Sequence, residues 1–234
     1  MNIARVLTMK KINVNSLEPS QQQLNGLLEH YQAGRYVDAE KLSISITQEF
    51  PEHPFAWKVL AVVLNLNGKL RESLVASQKC VQLEPQDGAA HNNLGNTLKV
   101  LRRLNEAEAS YRKAITLKPD YAEAYSNLGS TLQELGKLNE AEASYRKAIT
   151  LKPDFAEAHR NLGTTLQELG RLEEAMNSYT KTIELNPHSP WLIQNLTELF
   201  ASYTPDEGFL HPVARVNEEI KKNYLKNKTI GIIS

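Results

Sequence analysis

A 34-residue period runs through this chain almost letter for letter, and few architectures are compatible with it. Glu106 to Asp120 reads EAEASYRKAITLKPD, and Glu140 to Asp154 repeats it unchanged. A looser copy, EAMNSYTKTIELNP, runs from Glu174 to Pro187. Aligning 88–121 with 122–155 gives 24 identities in 34, and 122–155 against 156–189 gives 21. Self-similarity at a short fixed period means a stack of equivalent units, each burying its apolar face on its neighbour. The expected architecture is a solenoid.

The residues of one unit define its parts. In 122–155, Ala124, Leu128, Leu132 and Leu135 recur at spacings of four, four and three, one stripe of an α-helix. Gly136 supplies a stop, because glycine takes the left-handed conformation past a helix end without strain. A second helix is expected from about Asn139, a residue able to cap its N-terminus. Its stripe is Ala141, Tyr145, Ala148 and Ile149. It closes near Leu151, where Lys152 can meet the last carbonyls and Pro153 cannot continue the ladder. Small residues recur where helices must approach closely: Gly95 and Ala107, Gly129 and Ala141, Gly163 and Ala175.

These positions resemble the tetratricopeptide repeat. The resemblance rests on Asn-Leu-Gly in the first helix, Gly at the turn, Glu-Ala opening the second helix, then a Tyr, an Ala-Ile and a closing Pro. It extends backwards through Trp57, Ala61, Gly68, Leu70, Glu72, Cys80 and Pro85, and more weakly through Gly34, Tyr36, Ala39 and Pro51. It implies an all-α, right-handed superhelical solenoid of antiparallel helix pairs. The units fall at 20–53, 54–87, 88–121, 122–155 and 156–189, after an N-terminal extension over 1–19. A capping helix over 190–203 and a linker over 204–234 complete the expectation, with a short helix at 213–224 and a strand-like end at 228–234. Two departures stand out. Arg102 occupies the turn where other units have Gly, so that turn is expected to be rebuilt, and Val59 replaces an Asn.

Composition removes several function classes. Lys plus Arg and Asp plus Glu are both 27, so net charge gives no case for a nucleic-acid surface. One cysteine excludes an internal disulfide framework. Cys80 occupies the column of Ala114, Ala148 and Thr182, which reads as a packed thiol. No run approaches the roughly 20 apolar residues of a membrane span, and no signal-peptide core is apparent, so a cytoplasmic location is expected. The six histidines show no metal-ligand spacing. The carboxylate pairs Glu106/Glu108 and Glu140/Glu142 recur with the period and read as solvated helix starts. No phosphate loop, nucleophile elbow or zinc pattern is present, so no enzyme and no cofactor are expected in this chain.

The informative polar feature is a column of asparagines. Asn93, Asn127, Asn161 and Asn195 are each 34 apart, and each precedes a Leu in a first helix. Helical projection adds Asn92, Asn96 and Lys99 to this face in one unit. It adds Ser126, Ser130 and Gln133 in the next, and Arg160, Thr164 and Gln167 in the third. A carboxamide offers donors and an acceptor, so it can bond both the N–H and the C=O of an extended peptide. Equally, each Asn could tie one repeat to the next through a local bond. Val59 interrupts the series and Asn25 would resume it. A basic clamp for a C-terminal carboxylate would have only Lys99 and Arg160 to draw on.

The family resemblance implies that this face lines a concave groove, similar to the peptide groove of O-linked N-acetylglucosamine transferase. The expected function is a scaffold that binds an extended protein segment, with no nucleic-acid or membrane partner. One alternative is the substrate-recognition arm of a larger enzyme, a glycosyltransferase of that type, whose catalytic domain would begin near Thr229. The other is an oligomerisation spacer.

Overall fold

A computed structural model describes residues 18–186. The expected capping helix over 190–203, the linker over 204–234, Asn195 and most of the N-terminal extension lie outside the described residues. Among those described, the chain is all-α, with ten helices and no strand. They fall into two units divided after Leu117.

The first unit holds α1 (Gln21–Gln32), α2 (Tyr36–Glu49), α3 (Pro54–Leu66), α4 (Leu70–Leu83), α5 (Gly88–Val100) and α6 (Leu104–Leu117). Its helix starts follow local chemistry. The Ser20 hydroxyl accepts from the Gln23 N–H while the Gln23 amide oxygen accepts from the Ser20 N–H, a reciprocal cap on α1. Pro54 opens α3, where its missing N–H breaks no ladder bond. The Asp87 carboxylate caps α5 by accepting from the Ala89 N–H at 2.8 Å. Consecutive helices pack as antiparallel pairs around a core of Leu27, Ile46, Leu60, Val63 and Leu64.

The second unit holds α7 (Ala122–Glu134), α8 (Leu138–Leu151), α9 (Ala156–Glu168) and α10 (Leu172–Leu185). Both expected stripes face inward: Ala124, Leu128 and Leu132 on α7, and Ala141, Tyr145 and Ala148 on α8, are buried, while Leu135 and Ile149 at their ends are half-buried. Gly136 takes φ +74° as expected, with its N–H donating to Gln133 O and the next N–H to Leu132 O, both at 2.9 Å. One detail of the sequence reading is corrected. Asn139 does not cap α8, which begins at Leu138 with Lys137 in the cap position and no side-chain cap. The turn bonds deliver the chain into the helix two residues earlier than a cap at Asn139 would, leaving Asn139 inside its first turn.

The Arg102 turn is also corrected: it is not rebuilt. Arg102 has φ +61°, and the pair of turn bonds recurs, Arg102 N–H to Lys99 O and Arg103 N–H to Leu98 O, both at 2.9 Å. The bonds and the packed helices on either side hold a non-glycine residue in the left-handed region, which strains it by ~1–2 kcal/mol. Arg102→Gly should therefore stabilise the protein by about 0.5–1 kcal/mol, the relieved strain less the extra freedom glycine gives the unfolded chain. Urea denaturation measures it, and an unchanged or lowered midpoint would contradict the strain.

Candidate functional site

Three of the asparagines in the column are described. Asn93 on α5, Asn127 on α7 and Asn161 on α9 are all half-buried. Their backbone carbonyls accept from threonine hydroxyls one turn on, Thr97 at 3.2 Å, Thr131 at 3.0 Å and Thr165 at 2.9 Å. These threonines are themselves buried, so one helical turn under each Asn is fixed. The face around the column is not uniform. Asn92 and Ser126 are buried at 5% and 4% exposure, which withdraws them from an open wall, whereas Arg160 at the same register is half-buried. Asn96, Lys99, Ser130, Gln133 and Thr164 are half-buried, and Gln167 is exposed. Lys99 lies in the first unit and Arg160 in the second.

Part of this polar surface bonds within the protein. In the second unit the Asn161 carboxamide oxygen accepts from Arg160 Nε at 3.3 Å, and the carboxamide also meets the Tyr145 hydroxyl from the preceding repeat. Gln133 Nε2 donates to Glu168 at 2.6 Å, joining α7 to α9. Asn161 therefore has partners within the protein, while Asn93 in the first unit stands on the wall of a cleft.

Sequence reasoning placed the tyrosines only in the apolar stripe, and their hydroxyls are what it missed. Tyr111, Tyr145 and Tyr179 stand 34 apart, and each ring lies against the glycine 16 residues earlier. A Cβ built on Gly95, Gly129 or Gly163 would come within 2.6–2.8 Å of the ring, so these three positions require glycine. The hydroxyls then reach the polar face. Tyr111 donates to Asn96 at 2.8 Å, and Tyr179 reaches Thr164 at 3.2 Å and Gln167 at 3.1 Å. Tyr145 is 3.4 Å from the Gln133 amide oxygen. Burial pushes the Tyr145 and Tyr179 hydroxyls above the usual phenol range, so they stay protonated donors. The pairing Gly-x15-Tyr in three consecutive copies was the available signal.

The first unit breaks this pattern. Ser77 replaces the tyrosine and Ala61 the glycine. A cleft of about 150 Å³ opens there, walled by Val62, Asn65 and Leu66 on α3 and by Asn93, Asn96 and Thr97 on α5. Beneath it lies a buried polar knot. Asn65 donates to the Thr97 hydroxyl at 3.3 Å, and the Ser73 and Ser77 hydroxyls lie 3.1 and 3.4 Å from the same oxygen.

Of the carboxylate pairs, Glu106 and Glu140 are exposed as expected, and Glu106, Glu108 and Glu142 also hold ion pairs. Arg103 holds Glu106 at 2.6 Å, and Arg112 bonds Glu108 at 2.9 Å. In the second unit, Arg146 bonds Glu142 and Glu174, and Arg171 also bonds both. Burial raises the Glu142 carboxyl, but the Arg171 and Arg146 bonds outweigh it and hold it below the usual carboxylate range. This network ties α8 to α10. Most of its members stand in solvent, which screens them, so the network adds little to stability.

Cys80 is 2% exposed, and burial pushes its thiol up to about 11. Such a thiol is a poor nucleophile, because the thiolate is the reacting species. Alkylation by iodoacetamide at pH 8 should run about 100-fold slower than in denaturant; equal rates would show an accessible thiol. Among the described residues no cluster of His, Cys, Asp or Glu could hold a metal ion, and no helix is long and apolar enough to cross a membrane.

Comparison with known proteins agrees with the repeat geometry. Residues 103–136 and 132–170 match a family model described as TPR repeat, and residues 156–189 match one described as tetratricopeptide repeat. No curated protein matches the chain. Among solved structures, MamA is 23% identical, with a TM-score of 0.62, over 68% of this chain and 93% of its own. TTC0263, a thermophilic TPR protein of Thermus thermophilus, is 25% identical, with a TM-score of 0.63, over 77% and 98%. YrrB, described as a TPR protein with an unusual peptide-binding site, is 19% identical, with a TM-score of 0.61, over 76% and 91%. These likenesses support the fold and do not single out the glycosyltransferase arm that the family resemblance implied. With ten helices in consecutive antiparallel pairs among the described residues, and family matches over residues 103–189, that part of the chain is built of TPR repeats.

Proposed function

We propose that the chain is a protein–protein interaction scaffold that holds an extended partner segment against the first helices of its repeats. The reading divides the array into the five units 20–53, 54–87, 88–121, 122–155 and 156–189, and takes Asn93, Asn127 and Asn161 as the backbone-gripping groups. The observation that carries it is the position of Asn93, on the wall of an open cleft, with Asn127 and Asn161 half-buried at the same register. TPR domains generally bind protein partners, and peptide binding by the similar fold of YrrB is consistent with this.

Each amide bond to a peptide backbone contributes about 0.5–1.5 kcal/mol net. A few of them, less the ordering of the segment, correspond to a Kd of roughly micromolar. Ser130, Gln133, Thr164 and Gln167 supply the neighbouring polar contacts, and the hydroxyls of Tyr145 and Tyr179 hold several of them in place. The test begins with peptides selected from a random display library on the wild-type chain. Asn127→Ala with Asn161→Ala should weaken them at least about tenfold, a loss of roughly 1.4 kcal/mol, at unchanged helicity. Retained affinity would leave the asparagines as ties between repeats and no more.

A further inference from the structure

The cleft in the first unit lies where three later repeats place a tyrosine of their own; the 20–53 repeat, with Leu27 and Ser43 at these positions, has no such tyrosine either. In three repeats a phenol ring sits on a glycine of the first helix, and its hydroxyl reaches residues one and four positions beyond that glycine. The equivalents in the first unit are Ala61 for the glycine, Val62 and Asn65 for the residues reached, and Ser77 for the tyrosine. All but Ser77 line the cleft.

We infer that this cleft receives a tyrosine side chain from a bound partner segment. Size comes first. About 150 Å³ is the volume at which a cavity holds a single aromatic ring. Polarity agrees. Val62 and Leu66 give apolar walls, and Leu66 is 54% exposed at the mouth, where the second unit carries Glu134 and Glu168. Hydrogen bonding then selects the phenol. Gln167, at the register of Asn65, accepts from the Tyr179 hydroxyl at 3.1 Å, and Gln133 stands likewise to Tyr145. Asn65 directs its N–H to Thr97, which turns its carbonyl oxygen into the acceptor that an incoming hydroxyl meets. Tyrosine should therefore be preferred to phenylalanine, because the smaller ligand leaves that oxygen unmatched.

This inference rests on the scaffold reading, and the experiment separates the two. p-Cresol, the tyrosine side chain by itself, is titrated into the methyl-labelled chain by NMR, with toluene as the comparison. Saturable shifts are expected at the Val62 and Leu66 methyls in the millimolar range, as befits a ligand of this size, with toluene several-fold weaker. Ala61→Gly with Ser77→Tyr installs the pairing of the three later repeats and should abolish the p-cresol shifts. Leu66→Glu changes an exposed residue, leaves the fold alone and should weaken p-cresol at least about threefold. Asn65→Leu should erase the preference over toluene. No saturable shift at these methyls, or the same shift in the refilled variant, overturns the cleft. Library peptides selected on the wild-type chain should carry a tyrosine that those selected on the refilled variant lack. p-Cresol binding with no peptide selected at all would uphold the cleft and sink only the scaffold reading.

Discussion

Replacing Tyr145 by serine will cost the protein about 3–5 kcal/mol, the range for emptying a large buried aromatic site. The ring is fully buried, seated on Gly129, and its hydroxyl ties Gln133 to the repeat that follows. Gly129→Ala is expected to be destabilising for the opposite reason. Its Cβ would come within 2.8 Å of the ring, and overpacking of that kind costs about 1–3 kcal/mol. The ~0.8–1 kcal/mol that alanine gains over glycine in a helix offsets part of this. Combined, the two changes recreate the Ala61/Ser77 pair of the first unit, and the Gly129→Ala clash disappears. The double variant should thus be at least about 1 kcal/mol more stable than the sum of the single losses predicts. Urea denaturation followed by helix ellipticity measures the cycle, and strict additivity would mean that ring and glycine do not share one site.

That coupling shows what a single sequence makes legible here. The fold class followed from repetition, because identical letters at a fixed spacing can satisfy the same packing only by stacking. The left-handed turn at Gly136 and the buried stripes on α7 and α8 followed from residue chemistry alone. What escaped depended on partners distant in sequence. The Arg102 turn keeps the form of its glycine counterparts because two backbone bonds and the adjoining helices outweigh one residue's preference. Asn139 is a good cap in isolation, but the turn bonds set the register of α8. Asn92 and Ser126 share a helical-wheel face with Asn96 and Ser130, yet a wheel contains no neighbours, and both are buried. The cleft was legible only as a departure, Ser77 directly before three repeats that carry tyrosine in its column.

Leu132→Ala should be as damaging as the loss of the tyrosine, at about 2–5 kcal/mol. Leu132 is fully buried on α7, and its carbonyl accepts the Lys137 N–H that closes the turn into α8. The cavity therefore weakens both the packing of the pair and the seat of its turn. In a repeat array each unit depends on its neighbours and little else, so the loss stays local instead of spreading through one global core. Within the second unit the helices pack on their neighbours in sequence, with α9 touching both α7 and α8. Amide exchange should accelerate first in α7 and α8, then in α9, by roughly 30-fold or more where opening limits exchange. Uniform acceleration of every helix from α1 to α10 would mean that the array unfolds as one cooperative body, and the nearest-neighbour account of its stability would have to be given up.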